Sequence, residues 1–448
     1  MRWVFPVAGL VALVWFLIRV IPKPSRATYP CQRVAMPLAS GFVVWLVALV
    51  TSITASGRFR RLVRESRVVL AGICLVTIAV MGIASLADLP GRLTLTSEPG
   101  EPHGPIGKAK GIHPGRVVWV YDPNATDWDG YSSPEHWWQD GHTDPVVVER
   151  MVSQAIRGVA GRASDASAWD AIFRQFNISR GNGDLSYQAG ERIAIKINLT
   201  TCNAAGGDVN PTTYKKKSSV MNRIDNSPQM VLSVLRQLVH TVGVDQNDIT
   251  IGDPTGMIPD YYWDMLHPEF PNVHCLDNYG GSGRTRAEFS DVPLYWSTAN
   301  AAGKVRDYIP TAFAEAAYII NFAILKGHSS GVTLCAKNHY GSLVRTPDGY
   351  LRPELPGLPG NGEHFDYYNM HYSLPNAGQN PPWSPGMGHY RALVDLMGHW
   401  ELGGKTVLYL IDGLFGGYYW EAHPYKWNMP PFNGDWPSSI LNEIGRAH

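Results

Sequence analysis

Apolar residues fall into two kinds of run along this chain. Near the N-terminus the runs are long: Trp3 to Ile18, extended by Val20-Ile21, then Ala35 to Ser56 and Val68 to Ala87, none with an internal charge except at Arg19. A helix needs about 20 apolar residues to cross the hydrocarbon of a bilayer. The pattern therefore predicts a module over residues 1–90 with three spans, at about 3–21, 35–56 and 68–87. The first run also has the form of a secretory leader, but two further spans follow it. The second connection carries Arg58, Arg60, Arg61, Arg64 and Arg67 against Glu65, whereas Asp88, Glu98 and Glu101 outnumber Arg92 after the third span. The first connection, with Arg19, Lys23, Arg26 and Arg33, is basic as well, so the positive-inside rule conflicts with itself. The acidic stretch after the third span breaks the tie and predicts a multi-pass membrane protein whose large domain lies outside the cytoplasm, with the lipid bilayer as one partner.

After a Pro- and Gly-rich linker over about 91–115, the runs become short and alternate with helical periodicity. Gly115–Tyr121, Arg192–Leu199, Asp248–Gly252, Ala317–Leu325 and Lys405–Ile411 read as strands, apolar on both faces as in sheets covered by helices. Pro145–Ala160 and Pro228–Val242 read as amphipathic helices, the second capped by Asn226-Ser227 and closed by Gly243. The expected fold for 116–448 is α/β: a mostly parallel sheet in a three-layer, Rossmann-like arrangement, with a long Gly/Pro/aromatic loop over about 339–390.

In such sheets ligands bind beyond the carboxyl ends of the strands. Polar residues follow the strands here at Asp122 and Asn124, at Lys196 and Asn198, at Asp253, at Lys326 and His328, and at Asp412. Asp and Asn at single strand ends are ordinary turn formers. Two lysines at apolar strand ends are not, so this edge is the expected site.

Composition narrows the partners. The 38 Lys+Arg balance 38 Asp+Glu, so no basic field is available for a phosphate backbone and nucleic acid is not expected. The five cysteines form no C-x-x-C pair, which removes the common zinc-ribbon and redox patterns. No two histidines of the 339–390 stretch show helical zinc spacing. Gly403-Gly404-Lys405-Thr406 precedes a strand and lacks the first glycine of a P-loop.

The segment from Lys326-Gly-His328 through Thr333 to Lys337-Asn338-His-Tyr-Gly341 resembles the Lys-x-His … Thr-x-x-x-Lys-Asn-x-x-Gly signature of the domain of unknown function 362 family. Ile195-Lys196-Ile-Asn198-Leu is similar to that family's Lys-x-Asn strand, and Leu410-Ile-Asp412-Gly413 to its Asp-Gly strand end. The stretch Tyr29-Pro-Cys-Gln-Arg33 resembles its membrane-anchored members. The resemblance locates a site without supplying a reaction. Some relatives carry ferredoxin-like cysteine clusters. This chain has none, so no intrinsic iron–sulfur cluster is expected. The C-terminal Leu441–His448 also departs from the family's pattern.

Three functions fit these residues. In the first, an enzyme acts on a small anionic substrate with a divalent metal: Lys326, His328 and Lys337 are catalytic, Lys196, Asn198, Thr333 and Asn338 bind substrate, and Asp253, Asp412 and His328 hold the metal. Carboxylates beside His328 would then favour its protonated form. In the second, the same edge is a non-catalytic surface for a ligand or partner protein. In the third, Gly327-His-Ser329-Ser-Gly331 is the nucleophile elbow of an α/β serine hydrolase, with Asp395 or Asp412 and His423 completing the triad.

Overall fold

A computed structural model describes residues 111–202, 207–295, 306–328, 331–344 and 392–444, with a few positions between 11 and 18. The chain divides into two compact units, Met1–Gly104 and Pro105–His448, and the sheet belongs to the second. The three expected spans lie outside the described residues apart from those few positions. No described helix is long and apolar enough to cross a membrane.

The strands are β1 (Val117–Tyr121), β2 (Ile193–Lys196), β3 (Ile249–Gly252), β4 (His274–Asp277), β5 (Thr285–Arg286), β6 (Phe289–Tyr295), β7 (Arg306–Pro310), β8 (Tyr318–His328), β9 (Gly331–Thr333), β10 (Thr406–Gly417) and β11 (Ser439–Glu443). Nine form one sheet in the order β1-β11-β10-β8-β2-β3-β4-β5, with β9 beside β8, while β6 and β7 pair separately. From β10 to β5 the pairing is parallel. However, β11 runs antiparallel to both β1 and β10, and β9 antiparallel to β8. The sheet is thus mixed, which corrects the mostly parallel expectation. The reason is local: Ser-Ile-Leu-Asn-Glu is a five-residue strand beside Pro437, too short and too polar to show as an apolar run.

The helices are α1 (Pro145–Ala160), α2 (Asp165–Arg180), α3 (Pro228–Arg236), α4 (Asp260–Leu266), α5 (Thr311–Ala314), α6 (Cys335–Asn338) and α7 (Ala392–Gly398). Helix α1 begins where Asp144 accepts from the amides of Val146 and Val147 and ends at the left-handed Gly161, which satisfies the orphan terminal groups. Its Val148, Met151, Val152, Ala155, Ile156 and Val159 recur at helical spacing and are buried in the main core. Helix α3 is shorter than its pattern suggested, because residues Gln237–Val242 continue as a π-turn before the left-handed Gly243. Strands β8 and β10 instead run past their apolar stretches, so Lys326, His328 and Asp412 lie within strands rather than after them.

Candidate active site

Lys196 is fully buried on the central strand β2, where a bare ammonium would be costly. Each of its three donors has a partner: the Ile197 carbonyl at 2.5 Å, Asn338 Oδ1 at 3.2 Å and Asp253 Oδ2 at 3.2 Å. Burial still pushes Lys196 below the ordinary lysine range, with Asp253 opposing. Asp253, just beyond β3, also accepts from the Leu199 amide and from both the amide and the hydroxyl of Thr255. Asn338, at the end of α6, donates to the Lys196 carbonyl and to Asn321 Oδ1, both at 2.9 Å, and accepts from Asn198 Nδ2 at 3.4 Å. Thus α6 is tied to β2 and β8 through one amide.

The glycine three residues later has a physical role. A Cβ on Gly341 would stand 2.6 Å from Asp253 Oδ1 and 2.9 Å from Lys196 Nζ. Only a bare backbone fits against this ion pair. Gly341→Ala is expected to cost about 1–3 kcal/mol, the range for overpacking a filled interior. A change of under about 0.5 kcal/mol in urea unfolding, within the noise of ordinary surface substitutions, would show that the approach is not tight.

A second knot surrounds the segment before α3. Asp225 accepts from the Thr201 amide and hydroxyl, from Cys202 Sγ and from Lys216 Nζ at 2.8 Å. Burial alone would raise Asp225, but Lys216 and then Lys326 bring it below the usual carboxylate range. Asn226 accepts from the Asn198 amide at 2.6 Å and donates to the Ala323 carbonyl and to Asp412. Asp412 also takes the amide of Ser227 at 2.6 Å and its hydroxyl at 2.9 Å, and the Leu414 amide on its other oxygen. The sequence suggested that Ser227 caps its own helix, but its side chain makes no such bond and its hydroxyl donates to Asp412 instead. Burial pushes Asp412 upward against these bonds.

The sheet thus joins Lys196, Asn198, Asp253, Asn338 and Asp412 in one buried hydrogen-bonded network, through Asn226. Lys326 lies beside it on β8, in register with Thr333 of β9 and Gly417 of β10, and its ammonium donates to the Ile224 carbonyl at 3.1 Å. Burial holds Lys326 down to about 8, with Asp225 opposing and Lys216 adding to the fall. Burial and Lys326 hold Lys337 down to about 7, and its ammonium sits 4.8 Å above the Tyr340 ring. Burial and the charges of Lys337 and Lys326 hold His328 down to about 3. Burial and two lysine charges therefore favour the neutral form of His328, contrary to expectation.

That setting bears on the metal. Among the described residues no three His, Cys, Asp or Glu side chains group closely enough to hold an ion. The oxygens of Asp253 and Asp412 are occupied by protein donors, and His328 faces positive charge.

The hydrolase reading fails on backbone geometry. Residues on either side of Ser329 pair antiparallel, Gly327 with Val332 and His328 with Gly331, forming a hairpin. A nucleophile elbow needs a strand turning into a helix. Ser329 itself and the 345–391 part of the expected loop, including His364, His371 and His389, lie outside the described residues. His423 stacks on Tyr131 at 4.2 Å between ring centres.

Sequence reasoning missed Lys216, Asp225, Asn226, Asn321 and His339. Lys216 hides in Lys215-Lys216-Lys217, which looks like a solvated charge run, yet only the middle lysine is buried, beside Asp225. Asn226 reads in the sequence only as half of the Asn226-Ser227 helix cap, and Asp225 precedes it without a visible role. His339 is wholly buried, donates or accepts at Nδ1 with Ser342 Oγ at 2.9 Å, and has no partner at Nε2.

Residues 227–369 match the family model described as Domain of unknown function (DUF362), and this supports the family that the sequence resembles. The match includes α3 and the Lys-Asn-x-x-Gly segment but neither β2 nor β10, which supply Lys196 and Asp412. No curated protein and no solved structure matches the chain.

Proposed function

We propose that the strand-end network is the active site of an enzyme for a small anionic substrate, with Lys326 and Lys337 as its working cations. The observation that carries this is two lysine amines held near neutral pKa beside the network: Lys326 on β8 reaches the Ile224 carbonyl, and burial together with the Lys326 charge lowers Lys337. A bound anion would favour the charged form of both. Amines near 7 and 8 can also take or give a proton close to neutral pH, which general acid–base catalysis requires. Lys196, Asn198, Asn338 and Thr333 hold the framework, and His328 stays neutral as a hydrogen-bonding group.

Because an anion binds the protonated lysines, affinity should be highest below pH 7 and fall as pH rises through 7 and 8. Sulfate is a suitable probe, since its own charge is constant there. Calorimetry should show at least about a tenfold loss for Lys326→Met at pH 6.5, the scale of one hydrogen bond to a charged group. Sulfate affinity that ignores both pH and Lys326 would rule the site out. Saturable binding with no turnover of any phosphorylated or carboxylated substrate would leave a binding module.

The reading includes a membrane anchor, supported by the three N-terminal apolar runs. The full chain is expected to sediment with membranes and resist extraction by salt or carbonate; release by carbonate alone would refute it.

A further inference from the structure

We infer a second anion site, for a phosphate group, at the far end of the same sheet beyond β4, built by Arg284, Tyr214 and the loop Tyr279-Gly-Gly-Ser-Gly-Arg284. The Arg284 guanidinium lies over two rings, 4.2 Å from the centre of Tyr214 and 4.5 Å from that of Trp263. Its Nε donates to the Ile258 carbonyl and Nη1 to the Ser282 carbonyl, but Nη2 is buried with no partner. The Tyr214 hydroxyl is likewise buried without a partner, and a Cβ on Gly281 would stand 3.3 Å from it. Two unspent donors therefore adjoin one loop. Leaving a buried donor unsatisfied costs about 1–3 kcal/mol, more when it is charged.

The loop itself supports an anion. Gly280, Ser282 and Gly283 have φ of 62°, 47° and 86°, a left-handed pattern of the kind that turns successive amides into an anion-binding concavity. Its entry is fixed from below: Asp277 Oδ1 takes the amides of Tyr279 at 2.9 Å and Gly280 at 2.6 Å. Gly283 lies so close that a Cβ there would meet the Trp263 ring at 2.7 Å. Asp277 is buried and engaged with backbone amides, and with Asp260 it favours the charged form of Arg284 without taking a hydrogen bond from Nη2. A phosphate would accept from Nη2 and the Tyr214 hydroxyl beside the loop, where the amides of Tyr279, Gly280 and Arg284 are already bonded within the protein.

The test titrates inorganic phosphate into the purified full chain at pH 9, where Lys326 and Lys337 are largely neutral and Arg284 remains charged. Saturable binding is expected, weakened about tenfold by Tyr214→Phe and more by Arg284→Gln, as for loss of a hydrogen bond to a charged group. Tyr214→Phe removes only a hydroxyl, so a folded variant is assured a reading. If the hydroxyl is merely an orphan, Tyr214→Phe will raise the melting temperature and leave phosphate affinity unchanged, which overturns the site. Absence of saturable phosphate binding at pH 9 overturns it too. Lys326→Met should not alter binding at pH 9; sulfate binding lost only in Lys326→Met at pH 6.5 upholds the lysine site and counts nothing toward this one.

Discussion

Lys196→Met is expected to lower unfolding stability by about 3 kcal/mol, the lower end for breaking a buried ion pair. The loss arises less from the missing attraction than from what stays behind. Asp253 is 2% exposed and would be left as a buried carboxylate without its counter-charge. Three remaining donors, from Leu199 and Thr255, soften the penalty and place it at the low end. Asn338 would also lose a donor to its Oδ1, loosening the link between α6 and β2. Urea unfolding of the single and the Lys196→Met/Asp253→Asn double variant measures both effects. The double variant should be more stable than the sum of its parts, because the stranded charge is gone. A single-variant loss below about 1 kcal/mol, the scale of an exposed pair, would show that water reaches the site.

Acid should destabilise the protein through His339, and His339→Gln should blunt that response. Burial, with the Lys196 charge, holds the folded-state imidazole down to about 3, whereas an unfolded histidine titrates at about 6.5. Above 6.5 the ring is neutral in both states. Between 6.5 and 3 only the unfolded chain takes the proton, so stability falls by up to about 1.4 kcal/mol per pH unit as pH drops through this window. From pH 6.5 to 4.5 that amounts to roughly 2 kcal/mol. His328 acts in the same direction but is partly solvated, so its share is smaller. Stability curves of wild type and His339→Gln should converge as pH falls toward 4.5. Parallel curves would mean that His339 accepts its proton while folded.

The sequence carried more of the site than of the sheet. Lys196, Asp253, Lys326 and Asp412 were visible because charges interrupt apolar runs, a violation of pattern that burial makes conspicuous. The ends of β8 and β10 were not visible, because strand pairing continues through Lys326 and Asp412 once partners satisfy them. Pattern stops at polarity, whereas the ladder stops at the last backbone partner. Helix α2 escaped for another reason: Asp-Ala-Ser-Ala-Trp-Asp-Ala shows little apolar stripe, and its start is set by the reciprocal capping of Ser164 and Ser167. Asp225 and Lys216 are nine residues apart and pair through the fold, so neither looked unusual alone. His328 was assigned carboxylate neighbours because strand ends name a shared edge without giving the order in which side chains meet there.

The strand that made the sheet mixed also governs when it can be finished. Residue Ser439 of β11 receives a hydrogen bond from the Trp119 indole 320 positions earlier, and among the described residues β1 has no sheet partner other than β11. During synthesis β10 must therefore wait with one edge open, and β1 with both, until residues 439–443 have left the ribosome. Loop closure over such a separation is slow, and an open edge is the part of a nascent chain most prone to pair with a neighbour. The parallel half, β10 through β5, can assemble first because each of its strands finds its partner upstream or close by. The sheet is thus expected to be completed last by the docking of five residues.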